Sequence, residues 1–382
     1  MKWSVSLLAS VSLLAAVVSA QVGNAAGDEK PLMAEDVFKN IQVLKGIPVK
    51  EFMNTMGFFS ASTGLNCIDC HSPQSGDLAG YAIDTPRKQT ARRMVLMVNQ
   101  LNQSQFGGRR LVTCYTCHRA SDRAEAVPSL LDQYSVAEDD PNRAEIITGP
   151  SARKVSADAI FDKYIQALGG VAKLAALTSF TGRGTYEGYD SLSEQVPIDI
   201  YAKAPNQLSS VVHTQSGDSV TTYNGTSGWI AAADKLMRVL PLIGGDLEGA
   251  QMDALLSFPA GLKQQFQWRT GFPAVSIDDH RAEVIQSAAR GAAGTKLYFD
   301  AQTGLLLRQV RFVDTAVGVI PTQVDYSDYR DVAGVKVPFK RVITWTDGRS
   351  TIQLNQVQAN QPVEPARFSK PAPPRAKKSV IN

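Results

Sequence analysis

Apolar positions change their spacing along the 382-residue chain, and the changes divide it. A continuous apolar run from Val5 to Val18 follows Lys2. From Pro48, apolar side chains recur at helical spacing through Phe52, Met53, Met56 and Phe59, and Gly64 closes the pattern. A second helical pattern starts at Pro86 and carries Met94, Met97, Val98 and Leu101 before Gly107-Gly108. Between about Ser121 and Lys154 the periodicity disappears among Ala, Glu, Asp and Pro, so this stretch reads as a linker or strap. Ile160, Tyr164, Ile165 and Leu168 then share a face of a helix predicted over Ala157 to Leu168.

Beyond Gly169-Gly170 the period shortens toward two. Strands are predicted at 196–201, 219–223, 296–300, 305–312 and 341–345, with turn signals at Asn224-Gly225, Thr303-Gly304 and Asp347-Gly348. A helical pattern from Gly249 to Leu262 interrupts them, and after Gln361 the chain becomes rich in Pro, Lys and Arg. The expected class is α+β, with a small all-α domain followed by a larger antiparallel β domain that has a few helices. The divisions are a signal peptide over 1–26, a helical domain over 27–120, a linker over 121–154, a β-rich domain over 155–368 and a disordered basic tail over 369–382.

The apolar run is short for a membrane span, and Val18-Ser19-Ala20 or Asn24-Ala25-Ala26 would serve as a cleavage site, so it reads as a secretory signal. A periplasmic or otherwise exported protein is expected, with membrane association if the signal stays uncleaved. Net charge is only +3, which gives no reason to expect a nucleic-acid partner. From Thr85 to Arg119 there is no Asp or Glu, yet the stretch contains seven Arg and Lys: Arg87, Lys88, Arg92, Arg93, Arg109, Arg110 and Arg119. Such a run is a solvated face, a partner for acidic groups of a cofactor, or a surface that steers an acidic protein.

The chemistry concentrates in Cys67-Ile68-Asp69-Cys70-His71 and Cys114-Tyr115-Thr116-Cys117-His118, which use all four cysteines and two of the four histidines. Each has the spacing of a c-type haem attachment site, with two thiols for the porphyrin vinyl groups and the next imidazole, His71 or His118, for iron. One tetrahedral zinc or two disulfides would also use four cysteines, but neither explains a histidine directly after each second cysteine. No further histidine lies in this half, because His213 and His280 both belong to the β-rich part. Methionine is therefore the candidate sixth ligand, from Met53 or Met56 for the first site and from Met94 or Met97 for the second.

The helical part resembles the cytochrome c subunit of the photosynthetic reaction centre and its relatives in non-photosynthetic bacteria. The resemblance lies in Asn40-Ile41-Gln42-Val43-Leu44, in the stretch from Met56 to Cys67, in Ala91-Arg92-Arg93-Met94, and in Val112 to Arg119. It implies two covalent haems, with Met56 and Met94 as the sixth ligands and Met53 and Met97 as substitutes. That subunit carries four haems and a lipid-bearing cysteine, whereas this chain has two motifs and no histidine between Gln103 and Arg110. The β-rich part resembles a periplasmic lipoprotein-carrier (LolA-like) half-barrel through Lys296 to Asp300, Thr303-Gly304-Leu305 and Asp325 to Tyr329. That resemblance implies a curved sheet around helices that can hold acyl chains.

The expected function is electron transfer by an exported dihaem c-type cytochrome with His/Met-ligated iron, working with envelope redox proteins. A membrane complex or lipid could meet the C-terminal domain. Two alternatives stand beside it: an electron donor to a photosynthetic reaction centre, and a lipid-binding envelope protein with structural or sensing haems. An enzyme such as a dihaem peroxidase is not expected, since methionine on both irons leaves no open coordination position.

Overall fold

The computed structural model describes residues 30–72, 78–130, 140–147, 155–235, 237–288 and 294–375. The expected signal peptide and residues 376–382 of the expected tail lie outside the described residues. Among the described residues, the N-terminal part carries six helices: α1 (Ala34–Val37), α2 (Val49–Thr63), α3 (Cys67–Cys70), α4 (Leu78–Ala82), α5 (Pro86–Phe106) and α6 (Cys114–His118). The end of α2 falls where the sequence signals put it. Gly64 takes φ of 70° and donates its N–H to the Ser60 carbonyl at 2.8 Å, in the left-handed C-cap conformation that glycine adopts at little cost. The start of α5 is capped by the Thr85 hydroxyl, which accepts from Lys88 N at 3.2 Å, with Pro86 in the first turn. α5 ends where the glycine pair follows it, with Gly107 at φ of 60° as its C-cap.

The C-terminal part is one open antiparallel sheet. Its strands are β1 (Ser179–Gly188), β2 (Gln195–Lys203), β3 (Gln207–Thr214), β4 (Gly217–Tyr223), β5 (Gly228–Ala232), β6 (Val239–Pro241), β7 (Trp268–Arg269), β8 (Val275–Ile277), β9 (His280–Ser287), β10 (Lys296–Asp300), β11 (Leu306–Asp314), β12 (Val319–Val332), β13 (Val335–Trp345) and β14 (Gly348–Ala359). They lie in the order β6-β5-β4-β3-β2-β1-β14-β13-β12-β11-β10-β9-β7, with β8 paired to β9. The last strand thus returns to pair with the first, at Phe180 opposite Ala359. Helices α7 (Ala157–Leu168), α8 (Val171–Ala176) and α9 (Gly244–Ser257) cover one face of the sheet. Phe161, Tyr164 and Leu168 of α7 and Met252 and Leu255 of α9 pack there against Ile198, Ile200, Leu297, Phe299 and Leu354. The expected helix at Gly249 is in place but starts five residues earlier.

All five residues of β10 are buried, because both faces of that strand are covered. Leu297 and Phe299 enter the helix-covered core, while Tyr298 joins Ile277, Ala282, Val284 and Val310 on the opposite face. Over that face runs the segment 140–147, and the Tyr298 hydroxyl donates to the Pro141 carbonyl at 2.9 Å. Lys296 Nζ donates to the carbonyls of Asn142 at 2.9 Å and Ala144 at 2.7 Å. This piece of the expected linker is therefore a strap pinned to the sheet. The chain after Gln361 is also ordered further than its composition suggests: Pro365–Phe368 form a 3-10 turn, Phe368 is buried, and the Arg367 guanidinium stacks over Tyr201 at 4.5 Å.

The helical part and the sheet share a small core. Leu44, Phe58, Val95 and Cys114 pack with Val317 and Ile320 from the β11–β12 hairpin. Gly318 at the hairpin tip lies so close to Phe58 that a Cβ there would stand 2.2 Å from the ring. Ala316 N donates to Thr55 Oγ1 at 3.4 Å, Arg110 donates to the Thr315 carbonyl, and Lys50 pairs with Asp246 of α9 at 3.0 Å. Although no cysteine follows the linker, the sheet is thus packed against the cysteine-bearing part.

On the sheet surface His213 lies between two carboxylates, with Nδ1 at 2.9 Å from Asp218 and Nε2 at 3.2 Å from Asp199, which Arg183 also approaches at 3.5 Å. Burial works against its charged form, but the hydrogen bonds to Asp218 and Asp199 outweigh it and raise the imidazole pKa. The stability it contributes is full below the unfolded value of about 6.5 and is lost as pH rises through the higher folded value. In His213→Asn the thermal midpoint should therefore fall furthest below wild type at pH 5 and approach it as pH rises through the raised imidazole value. A constant difference across that range would refute the linkage.

Candidate functional site

Each Cys-x-x-Cys-His segment is a single capped helical turn. Asn66 Oδ1 accepts from Ile68 N at 3.0 Å and Asp69 N at 3.2 Å, and Asp69 Oδ2 accepts from Asn66 N at 2.9 Å. At α6, Thr116 Oγ1 accepts from Thr113 N at 3.0 Å. One turn brings cysteines three residues apart to the same side, with the histidine at the exit. All four thiols are free. Burial raises the pKa of Cys70, against the lowering effect of Arg87, and burial also raises that of Cys114. Neither is an activated thiolate of the redox-dithiol kind. Among the described residues no three or more His, Cys, Asp and Glu side chains converge on a metal position, so the two Cys pairs do not form one zinc site.

The two imidazoles are oriented alike. His71 Nδ1 lies 3.2 Å from the Tyr81 carbonyl and His118 Nδ1 lies 3.0 Å from the Ser121 carbonyl. A carbonyl only accepts, so Nδ1 is the donor in each pair and Nε2 of the neutral ring keeps its lone pair for a metal. Burial, then the charge of Lys88, lowers the pKa of His71. Tyr81 also lies against the His71 ring, with centroids 4.7 Å apart.

The motifs are tied to each other's helices. Thr85 Oγ1 donates to the Cys70 carbonyl at 2.9 Å, which joins the first motif to the start of α5. Ala120 N, just past the second motif, donates to the Ser62 carbonyl near the end of α2 at 2.9 Å. Arg87 bridges both sides: it donates to the Asp69 carbonyl at 3.1 Å and pairs with Asp122 at 3.4 Å. The approach to the second motif rests on Asn102, which is 4% exposed. Its Nδ2 donates to the Val112 carbonyl at 2.7 Å, and its Oδ1 accepts from Leu111 N at 3.1 Å and Val112 N at 3.0 Å. Sequence reading passed over Asn102. The only available signal was an amide on the helix face that Val95 and Val98 bury.

Four methionines were candidates, and their surroundings differ. Met53, Met94 and Met97 are exposed at 49%, 36% and 49%, while Met56 packs beside Phe58 and Val95. Met94, Met97 and Leu101 form an exposed apolar stripe on α5, whose other face carries buried Val95 and Val98. A helix apolar on two faces has surface left for a large flat apolar group. The donor set, the free Nε2 atoms and this stripe all fit covalent haem. Much of the basic run has partners within the chain: Arg92 pairs with Asp84 at 2.8 Å, Arg87 with Asp122, and Lys88 donates to the Ile83 carbonyl at 2.9 Å.

Residues 8–154 match the family described as the photosynthetic reaction centre cytochrome C subunit. The corresponding subunit of Roseobacter denitrificans is 33% identical over 105 residues, covering 25% of this chain and 27% of that protein. That of Thermochromatium tepidum is 37% identical over 100 residues, covering 25% of this chain and 24% of that protein. The chain thus spans about a quarter of the length of the curated relatives it matches. Among solved structures, a LolA superfamily protein of Nitrosomonas europaea aligns with 57% of this chain and 99% of its own, at 11% identity and a TM-score of 0.39. A DUF1329 family protein of Desulfovibrio piger aligns with 56% of this chain and 96% of its own, at 10% identity and a TM-score of 0.38.

Proposed function

We propose that this chain is an electron-transfer protein that carries two covalent c-type haems. Cys67 and Cys70 would attach the first and Cys114 and Cys117 the second, with His71 and Met56 to hold the iron of one and His118 and Met94 to hold that of the other. Met53 and Met97 are the substitutes. The observation that carries the reading is the pair of one-turn Cys-x-x-Cys-His helices, each with its histidine Nδ1 held by a backbone carbonyl, in the region similar to reaction-centre cytochromes. When bound, a c-type haem supplies one-electron chemistry at iron. The chain's own residues fix the tautomer of each imidazole, bury Cys114, and hold the two motifs together through Arg87 and the Ala120–Ser62 bond.

The chain is a carrier rather than an enzyme on this reading, because methionine at both sixth positions leaves no site for substrate. Export, with attachment outside the cytoplasm, follows from the same chemistry and from the apolar run after Lys2. The relatives are named as reaction-centre subunits, but the match covers about a quarter of their length, so we assign the partner to the envelope redox proteins in general. The β-rich part serves docking or acyl carriage, the two roles its LolA-like fold suggests. Its helix-covered core leaves a cavity of about 40 Å³, room for about three waters at ~10–15 Å³ each.

A pyridine haemochrome assay on purified protein should give two haems per chain, and Cys67→Ser/Cys70→Ser or Cys114→Ser/Cys117→Ser should each leave one. One haem in the wild type would overturn the reading. Met56→Ala and Met94→Ala should each abolish the sulfur-to-iron charge-transfer band of one site. Loss instead in Met53→Ala or Met97→Ala would move the ligand by one helical turn.

A further inference from the structure

The carbonyls that hold the two imidazoles are not alike. The Tyr81 carbonyl, which accepts from His71 Nδ1 at 3.2 Å, also accepts from the Lys88 ammonium at 2.5 Å. Lys88 Nζ donates to the Ile83 carbonyl at 2.9 Å as well, so it closes the turn after α4 and fixes the Tyr81 carbonyl in place. The start of α5 aims Lys88 there: its N–H is capped by Thr85 Oγ1 at 3.2 Å, and the same hydroxyl donates to the Cys70 carbonyl at 2.9 Å. Asp84, four residues before Lys88, is taken by Arg92 at 2.8 Å. At the second motif the Ser121 carbonyl accepts from His118 Nδ1 at 3.0 Å, and the cations close to it in sequence, Arg119 and Arg123, are exposed.

A hydrogen bond from Nδ1 to a carbonyl makes an imidazole a stronger metal ligand through Nε2. An ammonium on the same oxygen competes for its electron density and repels the N–H, so the ring of His71 donates less to a metal. The ammonium charge also opposes the extra positive charge of ferric iron. Both effects act in one direction, in favour of the ferrous form. The exposed Arg119 and Arg123 are screened by water and salt, so they exert less.

On the reading that each motif carries a haem, we propose that Lys88 is a positioning residue that raises the reduction potential of the first haem through the Tyr81 carbonyl and leaves the second unaffected. Potentiometric titration of the dihaem protein, followed by its visible spectrum, gives two midpoints. The variants Cys67→Ser/Cys70→Ser and Cys114→Ser/Cys117→Ser assign them to the motifs. Lys88→Met should lower the midpoint of the first haem by about tenfold in its reduction equilibrium, ~59 mV for one electron, the low end of what one charged hydrogen bond is worth. The second midpoint, the haem content and the sulfur-to-iron band should stay as in wild type. The shift should persist in 1 M salt, where a Debye length of roughly 3 Å removes the influence of exposed charges. Lys88→Arg keeps the charge and the donors and should hold the midpoint near wild type. If Lys88→Met loses the first haem, Lys88→Gln, which keeps a donor without the charge, decides by the same measure. A chain without haem would overturn the reading of the motifs and this proposal with it. Two haems whose midpoints do not move would overturn the role of Lys88 alone, as would equal shifts of both or a shift that vanishes in 1 M salt.

Discussion

Phe58→Ala should destabilise the whole protein by about 3–5 kcal/mol, the cost of emptying a closely packed aromatic position. Phe58 is 6% exposed and joins Leu44, Val95 and Cys114 of the helical part to Val317 and Ile320 of the hairpin. Its ring occupies the space where a side chain at position 318 would begin. Gly318→Ala should therefore cost about 1–3 kcal/mol by overpacking in the wild type. In a Phe58→Leu background the same substitution should cost clearly less, since the smaller side chain frees the space. Chemical denaturation of the four proteins in this cycle gives the coupling directly. Additive effects would mean that Phe58 and Gly318 do not share one packing site. Because the cluster spans both parts, we also expect wild type to melt in one transition by heat, read at helical and at sheet signals.

The second large effect is expected at Asn102. Asn102→Leu removes one donor and one acceptor that together serve three backbone groups, Leu111 N, Val112 N and the Val112 carbonyl. Leu111 N keeps a second acceptor in the Arg109 carbonyl at 3.0 Å, so the two Val112 groups lose their partner, and at about 1–3 kcal/mol for each unpaired backbone group a loss of about 2 kcal/mol or more is expected. The damage should be local in its consequence. Residues 111 and 112 lead directly into Thr113, the cap of the second motif, so haem content should drop toward one per chain while the first motif stays loaded. Asn102→Asp keeps the acceptor but loses the donor, and should fall between wild type and Asn102→Leu. Equal loss of both haems in Asn102→Leu would show that the residue supports the whole helical part rather than one motif.

The features legible in sequence were those set by local chemistry. Pro48, Gly64, Pro86 and Gly107 bound the two long helices because cap geometry depends on neighbouring residues alone. The two Cys-x-x-Cys-His motifs were visible for the same reason. Strand β1 was not, because Gly182 and Gly184 interrupt its alternation, and pairing with β14 more than 160 residues away defines it. β10 was found as a strand, but its burial on both faces depends on a strap whose residues carry no periodic signal. The contact between Gly318 and Phe58 was likewise invisible. It involves one glycine among 29 and a phenylalanine that looks like any other helix core position.

The strap also sets how far the two parts can separate. Pro141, Asn142 and Ala144 are anchored on β10, and Glu125 N, fifteen residues before Asp140, donates to the Cys117 carbonyl of the helical part. Fifteen residues reach at most about 54 Å even when fully extended. Should the Phe58 contact open, the helical part would stay on a short leash, at an effective concentration on the order of millimolar toward its own hairpin. Re-docking is then an intramolecular event independent of protein concentration. A small interface of a few apolar side chains can therefore remain closed most of the time, which the same surface could not achieve between separate molecules.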